Sequence, residues 1–250
     1  MQLKSTLAFT AALATVLGLA PLASADTITF RNGLNEYAGT VDTTIFGSQP
    51  TNNNNTSANG FFGVQTTSGV TGQNQFLIRF DDLFGPGANQ IPAGSTINSA
   101  TLGFTRGPNG GFTNAAQLYD LTSAFNATTV TFNNAGSTAN DGIIVGTDTD
   151  ATQTNANFTI SSGQDAAFGT VNVSTSLAEW AANPTANLGW MLHAPTATGN
   201  VNVRSANATD FADRRPTLTV DFTPAPVPEP ASVGLIAAGL GAALLRRRRA

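Results

Sequence analysis

Residues 76–104 read FLIRFDDLFGPGANQIPAGSTINSATLGF, and the spacing of their apolar side chains decides the fold class. Phe76, Ile78 and Phe80 alternate onto one face, and Leu77 and Arg79 onto the other. A period of two is a strand and not a helix, and Leu77 on the second face is solvated unless both faces are covered. The next stretch, Gly85 to Gly94, is rich in Gly, Pro and Asn and reads as a turn. A second β segment follows from Thr96, but Ile97, Ala100 and Leu102 do not keep one parity, which predicts a bulge or bend near Ser99. Arg79 stands beside Asp81 and Asp82, either as a surface ion pair or as a buried strand clamp, and a structural role outweighs ligand binding there.

Outward from this stretch the pattern repeats. Short alternating or β-branched runs start at Thr27, Thr40, Phe61, Gln75, Thr96, Ala116, Gly169, Leu188, Val201 and Thr217, with turn signals between them. That is how an antiparallel β-sandwich reads, here all-β and jelly-roll-like. One helix is expected, in TSLAEWAAN, with Ser174 or Thr175 as its cap, Leu177 and Trp180 on one face, and Asn183-Pro184 as its stop. Residues 50–60 and 107–112 are loops. Residues 133–157 form a long polar excursion around the apolar run Ile143–Val145, and loops of this length are functional or disordered.

The charge inventory narrows the function classes. Residues 26–223 carry six Arg and no Lys against fourteen carboxylates, a net charge of −8, because five of the eleven basic residues lie in the terminal segments. An acidic body without a basic patch excludes nucleic acid and anionic lipid as partners, and it fits a neutral glycan or a bound cation. The chain has no Cys and one His, so disulfides, thiol chemistry and the cysteine-based zinc sites are excluded. No G-x-S-x-G, H-E-x-x-H or phosphate-loop pattern is present. His193 lacks an orienting partner in the sequence. Asp81 and Asp82, as strand neighbours, would point to opposite sides and cannot act as a glycosidase pair.

The two ends are address labels. Lys4, the apolar stretch Leu7–Ala20 and the small residues Ala23 and Ala25 form a signal peptide over residues 1–25, cleaved by signal peptidase between Ala25 and Asp26. At the other end a proline-rich spacer over 224–230 precedes an uncharged apolar helix over 231–245 and the Arg-rich cytoplasmic end 246–250. Fifteen residues are short for a full span at about 1.5 Å each. Arg246, Arg247, Arg248 and Arg249 resist translocation and hold the C-terminus inside while the body is exported. Val227-Pro228-Glu229-Pro230, the apolar helix and the arginines together resemble the PEP-CTERM sorting signal. The resemblance implies that an exosortase, a membrane-embedded transpeptidase-like cysteine protease of bacteria that secrete polysaccharide, recognises Pro228, Glu229 and Pro230. It further implies transient anchoring in the inner membrane through the C-terminal helix, then release to the cell surface, outer envelope or extracellular matrix.

The body, residues 26–223, resembles the DNRLRE-type, carbohydrate-binding-module-like β-sandwiches. The resemblance rests on Arg79-Phe80-Asp81, on Ile91-Pro92, Gly94, Ile97, Ala100 and Leu102, on the block from Val171 to Ala194 and on Arg215-Pro216 before the last strand. The family's Thr-Trp pair is replaced by TVTF ending at Phe132, and the middle excursion has diverged, so no ligand role is carried over to that region. What the resemblance implies is a non-enzymatic module that binds extracellular polysaccharide. The alternative is a purely structural envelope or biofilm-matrix protein that contacts other proteins, and a polysaccharide-modifying enzyme ranks below both.

The candidate ligand residues are few. Trp180, Trp190 and Tyr37 could stack on sugar rings, although a helix face for Trp180 and an apolar strand for Trp190 argue for core packing. Tyr37 falls in a loop, where exposure is expected, and Tyr119 in a strand. Asp141, Asp148 and Asp150 offer oxygen ligands for a structural Ca²⁺, but their spacing is not that of an EF-hand, and a solvated acidic loop is the plain alternative. Asn-x-Thr triplets at Asn126, Asn157 and Asn207 matter only where a glycosylation machinery exists, and otherwise read as ordinary polarity.

Overall fold

The computed structural model describes residues 24–108, 113–150, 155–160, 168–194 and 199–225. The expected signal peptide over 1–25, apart from Ser24 and Ala25, the spacer from residue 226, the apolar run 231–245 and the terminal arginines lie outside the described residues. Ser24–Ala225 form one compact unit.

Among its described residues this unit has eleven strands and one α-helix: β1 (Asp26–Phe30), β2 (Thr40–Phe46), β3 (Asn59–Thr67), β4 (Val70–Phe80), β5 (Thr96–Thr105), β6 (Thr113–Asp120), β7 (Asn155–Ile160), β8 (Phe168–Asn172), α1 (Ser174–Ala182), β9 (Trp190–His193), β10 (Asn200–Arg204) and β11 (Thr217–Thr223). They form a four-stranded sheet in the order β1-β11-β5-β8 and a seven-stranded sheet in the order β10-β3-β4-β9-β6-β7, with β2 also paired to β4. Every pairing between named strands is antiparallel. The first and last strands are neighbours, with Asp26 opposite Phe222 and Phe30 opposite Leu218.

The parity of the 76–104 stretch explains its burial. Phe76, Ile78 and Phe80 are buried between the two sheets with Leu102, Phe104, Trp190, Leu218 and Val220. Leu77, on the opposite face, is buried in a second cluster with Ile45, Tyr119, Phe125, Val130, Ile143 and Met191. The large sheet is therefore covered on both faces, and its outer cover is the segment 121–149. The bend expected near Ser99 falls one residue earlier: Ser99 pairs with Asp221 and Ile97 with Phe222, so Asn98 is the extra residue. Its side chain is held by Asp221 and Thr223 at 2.8 and 3.1 Å.

The helix ends as expected before Pro184, but its start differs. Val173 is the N-cap residue, and neither Ser174 nor Thr175 makes a side-chain cap. Ser174 Oγ instead accepts the Ala100 backbone N–H at 2.8 Å, while Asn172 Oδ1 accepts the Ser174 N–H at 2.9 Å. A hydroxyl used to tie the helix to β5 is not available to cap the helix. The strand β7 was missed in the sequence, because NANFTI is embedded in the Asn- and Thr-rich excursion.

Candidate functional site

Described residues of the excursion are ordered by specific bonds and do not form a free loop. Gln75 points out of β4 and pairs both ways with the Ile143 backbone, donating from Nε2 at 2.7 Å and accepting at 2.9 Å. Asn53 Nδ2 donates to the carbonyls of Ala127 and Val130 at 2.6 and 2.7 Å. Arg79 forks onto both carboxylate oxygens of Asp81, with Nη2 3.1 Å from Oδ2. Its Nη1 donates to Phe125 O at 3.2 Å and its guanidinium lies 5.2 Å from the Phe125 ring centre. Arg79 is thus a strand clamp that fastens the start of the 121–149 cover, at Phe125, to the sheet, and its ion pair is half-exposed and weak as a stability source.

Among the described residues, two adjoining hollows lie beside the free edge of β1. One hollow of about 350 Å³ is lined by Asn35, Glu36, Tyr37, Gly39, Asp82, Asn89 and Gln90. A second, of about 410 Å³, shares Asn35, Asn89 and Gln90 and runs along Asp26–Ile28 to Phe222 and Pro224. No basic side chain lines either one. The walls are locally braced: Gln90 accepts the Gly87 N–H and donates to Asp82 O, and Asn89 Nδ2 donates to Asn35 O at 2.7 Å. Among the described residues, that leaves the Asn35 amide, Asn89 Oδ1 and the carboxylates of Glu36 and Asp82 uncommitted. Asn35, Glu36 and Asp82 all have left-handed backbones, with φ of 50°, 64° and 57°. Such backbones cost about 1 kcal/mol each outside glycine and persist where the surroundings impose them. Amides and carboxylates that donate and accept in one groove match the vicinal hydroxyls of a sugar.

Tyr37 floors this groove and is not loop-exposed, as its sequence context suggested. It is 9% exposed, packs edge-on against Phe30 at 5.1 Å and donates from its hydroxyl to Asp81 O at 2.9 Å. Burial, then the Asp81 charge, push its phenol far above the ordinary range, so it is a neutral donor at any working pH.

The other candidates fall elsewhere. Trp180 and Trp190 are 3% and 0% exposed, their ring centres 4.5 Å apart inside the main core, where a sugar ring has no access. Among the described residues Val145 is the one large apolar side chain that is exposed, so no aromatic platform is seen there. Asp141 is exposed, whereas Asp148 is buried and accepts the N–H groups of Ser137 and Ile144 at 2.7 and 2.9 Å. Burial would raise the Asp148 pKa, but these bonds outweigh it and lower the value, which marks a loop-tying carboxylate. Among the described residues no three His, Cys, Asp or Glu gather as a metal set.

Two further carboxyls are buried without a counter-cation in contact. Asp42 is pushed up to about 7 by burial, which the 2.6 Å bond from the Ala206 N–H only partly offsets. Asp120 is pushed up to about 6, again mainly by burial, and accepts from Ser176 Oγ at 2.9 Å. His193 is half-buried and its pKa is lowered by burial, so its imidazole is neutral near pH 7.

The groove residues Asn35, Glu36, Asn89 and Gln90 carried no signal in the sequence beyond their turn-forming composition, because the groove is assembled from the β1–β2 and β4–β5 loops, the edge of β1 and the end of β11.

Among curated proteins none matches the chain. Residues 226–249 match the PEP-CTERM protein-sorting motif, which covers the Pro-Glu-Pro triplet, the apolar run and the arginine cluster and none of the folded body.

Proposed function

We propose that the chain is an exported, exosortase-sorted surface or matrix protein without chemistry of its own, whose sandwich binds neutral stretches of extracellular polysaccharide in the Asn35–Gln90 groove. The sorting motif at 226–249 supports delivery to the envelope. The observation that carries the binding reading is the set of uncommitted polar groups at Asn35, Glu36, Asp82 and Asn89 around one hollow, the first three held on left-handed backbone. Carboxylates without a basic neighbour repel polyanions, which points to uncharged sugar residues. The likeness of the body to DNRLRE-type modules agrees with this reading.

The test is affinity electrophoresis of residues 26–223 through gels containing the host's polysaccharide, with and without calcium. Retardation that disappears in Asn35→Ala/Gln90→Ala supports the groove, and retardation lost with EDTA makes calcium the bridge. Unchanged mobility against this polysaccharide and a broad panel of neutral glycans defeats it. A structural matrix protein is the second reading, favoured by the lack of exposed aromatics among the described residues.

A further inference from the structure

Six Asn-x-Thr/Ser triplets without a central proline occur in the sequence, at Asn54, Asn55, Asn126, Asn157, Asn172 and Asn207. The fold treats them unequally. Asn54 and Asn55 are half-buried. Asn157 and Asn172 are in strands, paired with Gln117 and Thr101, and the Ser174 hydroxyl that follows Asn172 accepts the Ala100 N–H. Asn207 is exposed, but its Nδ2 donates to Asn55 O at 2.6 Å.

Asn126 alone combines exposure, an irregular backbone and a free amide nitrogen. Its Oδ1 accepts two bonds from the third residue of the triplet, the Thr128 N–H at 3.0 Å and the Thr128 hydroxyl at 2.8 Å. Its Nδ2 makes no hydrogen bond among the described residues. Two donors on the carbonyl oxygen draw electron density toward it, which polarises the amide and makes its N–H more acidic. The turn is held rigid, since the Thr129 and Val130 N–H groups both donate to Asn126 O, and Phe125, Ala127 and Val130 are buried on either side. A hollow of about 160 Å³ opens beside the amide, lined by Phe125, Val130 and Asn134 among others. A mixed lining, with Thr129 and Asn134 beside Phe125 and Val130, suits the first ring of an attached sugar, which has both hydroxyls and an apolar C–H face.

We propose that Asn126 is the acceptor for an N-linked saccharide added to the exported body. The donor is a saccharide activated on a lipid phosphate. Asn126 Nδ2 bonds to the anomeric carbon, the anomeric carbon–oxygen bond to phosphate breaks, and the lipid phosphate leaves with the electron pair. One amide proton passes to a base of the transferase, and nothing is oxidised or reduced. The proposal rests on export of the body, not on glycan binding in the groove.

The experiment is mass spectrometry of the protein extracted from the surface of its own host. No Lys or Arg lies between Arg106 and Arg204, so chymotryptic peptides ending at Phe132 are the ones to read. The expected result is a mass gain of whole sugar residues, placed on Asn126 by electron-transfer fragmentation. It should vanish in Asn126→Gln and Thr128→Ala, survive in Thr128→Ser, and be unaffected by Asn207→Gln. An unmodified peptide from correctly exported protein overturns the proposal while leaving the sorting reading intact. A sugar placed on a threonine, or simple hydrolysis of the amide to Asp, overturns it equally. Body protein found only inside the cell would fail the export reading instead, and with it the premise of this one.

Discussion

Replacing Asp42 by Asn should turn a protein that weakens as pH rises into one that is nearly indifferent over the same window, save for the contribution of Asp120. Asp42 is 4% exposed on β2, and its carboxylate accepts the Ala206 N–H at 2.6 Å. Burial moves its pKa from 3.8 in the unfolded chain to about 7 in the folded one. Between those values the folded state binds more protons than the unfolded state, so stability is fully present near pH 4 and is lost as pH rises toward 7. Three units at about 1.4 kcal/mol each set the loss from this group on the order of 4 kcal/mol. Asp120 adds a loss of the same sign, completed at about pH 6. His193, lowered by burial, works in the opposite sense through its ordinary range. In Asp42→Asn the amide oxygen can replace Asp42 Oδ2 as the acceptor for the Ala206 N–H, and the titrating proton is gone. Urea unfolding of residues 26–223 followed by circular dichroism at pH 4.5, 6.0 and 7.5 reads the effect. The variant should match the wild type at pH 4.5 and exceed it by a few kcal/mol at pH 7.5, and the Asp42→Asn/Asp120→Asn double variant should be flatter still. A wild type that is more stable at pH 7.5 than at 4.5, or an Asp42→Asn variant with an unchanged slope, would refute the reasoning.

Trp190→Ala removes a fully buried indole packed on Trp180 and Phe80, and should cost about 3–5 kcal/mol, read as a fall in the urea midpoint without a change in slope. Arg79→Ala should release the 121–149 cover from the large sheet, so chymotrypsin cuts at Phe125 and Phe132 faster while the sandwich retains its β circular dichroism; equal digestion rates would deny the clamp its role. Gly60→Ala drives a methyl group into the Phe76 ring and should destabilise by about 1–3 kcal/mol in the same unfolding assay. Deleting residues 226–250 removes the matched sorting motif, and the body should then appear in the culture medium and not in surface extracts.

Much of the architecture was legible because strand parity is a local property. The bounds of β2, β5 and β11 follow from runs of Thr, Val, Ile and Phe that can bury one face whatever their partners are. Leu77 showed the limit of that reading. Its place in the sequence left its face open, and only the 121–149 segment, folding back across the sheet, decided that it is buried. Likewise β7 was hidden because its pairing with β6 is non-local and its composition is that of a loop.

The sequence by itself determined the C-terminal sorting motif, the acidic and cysteine-free body and the sandwich class, since each depends on composition, charge or spacing along the chain. The tertiary structure decided what the individual polar and aromatic residues are for. Trp180 and Trp190 became core, Asp148 became a tie for backbone amides, and Asn35 and Asn89 became walls of one groove. Exposure, hydrogen-bond partners and left-handed backbone arise where distant segments meet, and no local pattern encodes that meeting.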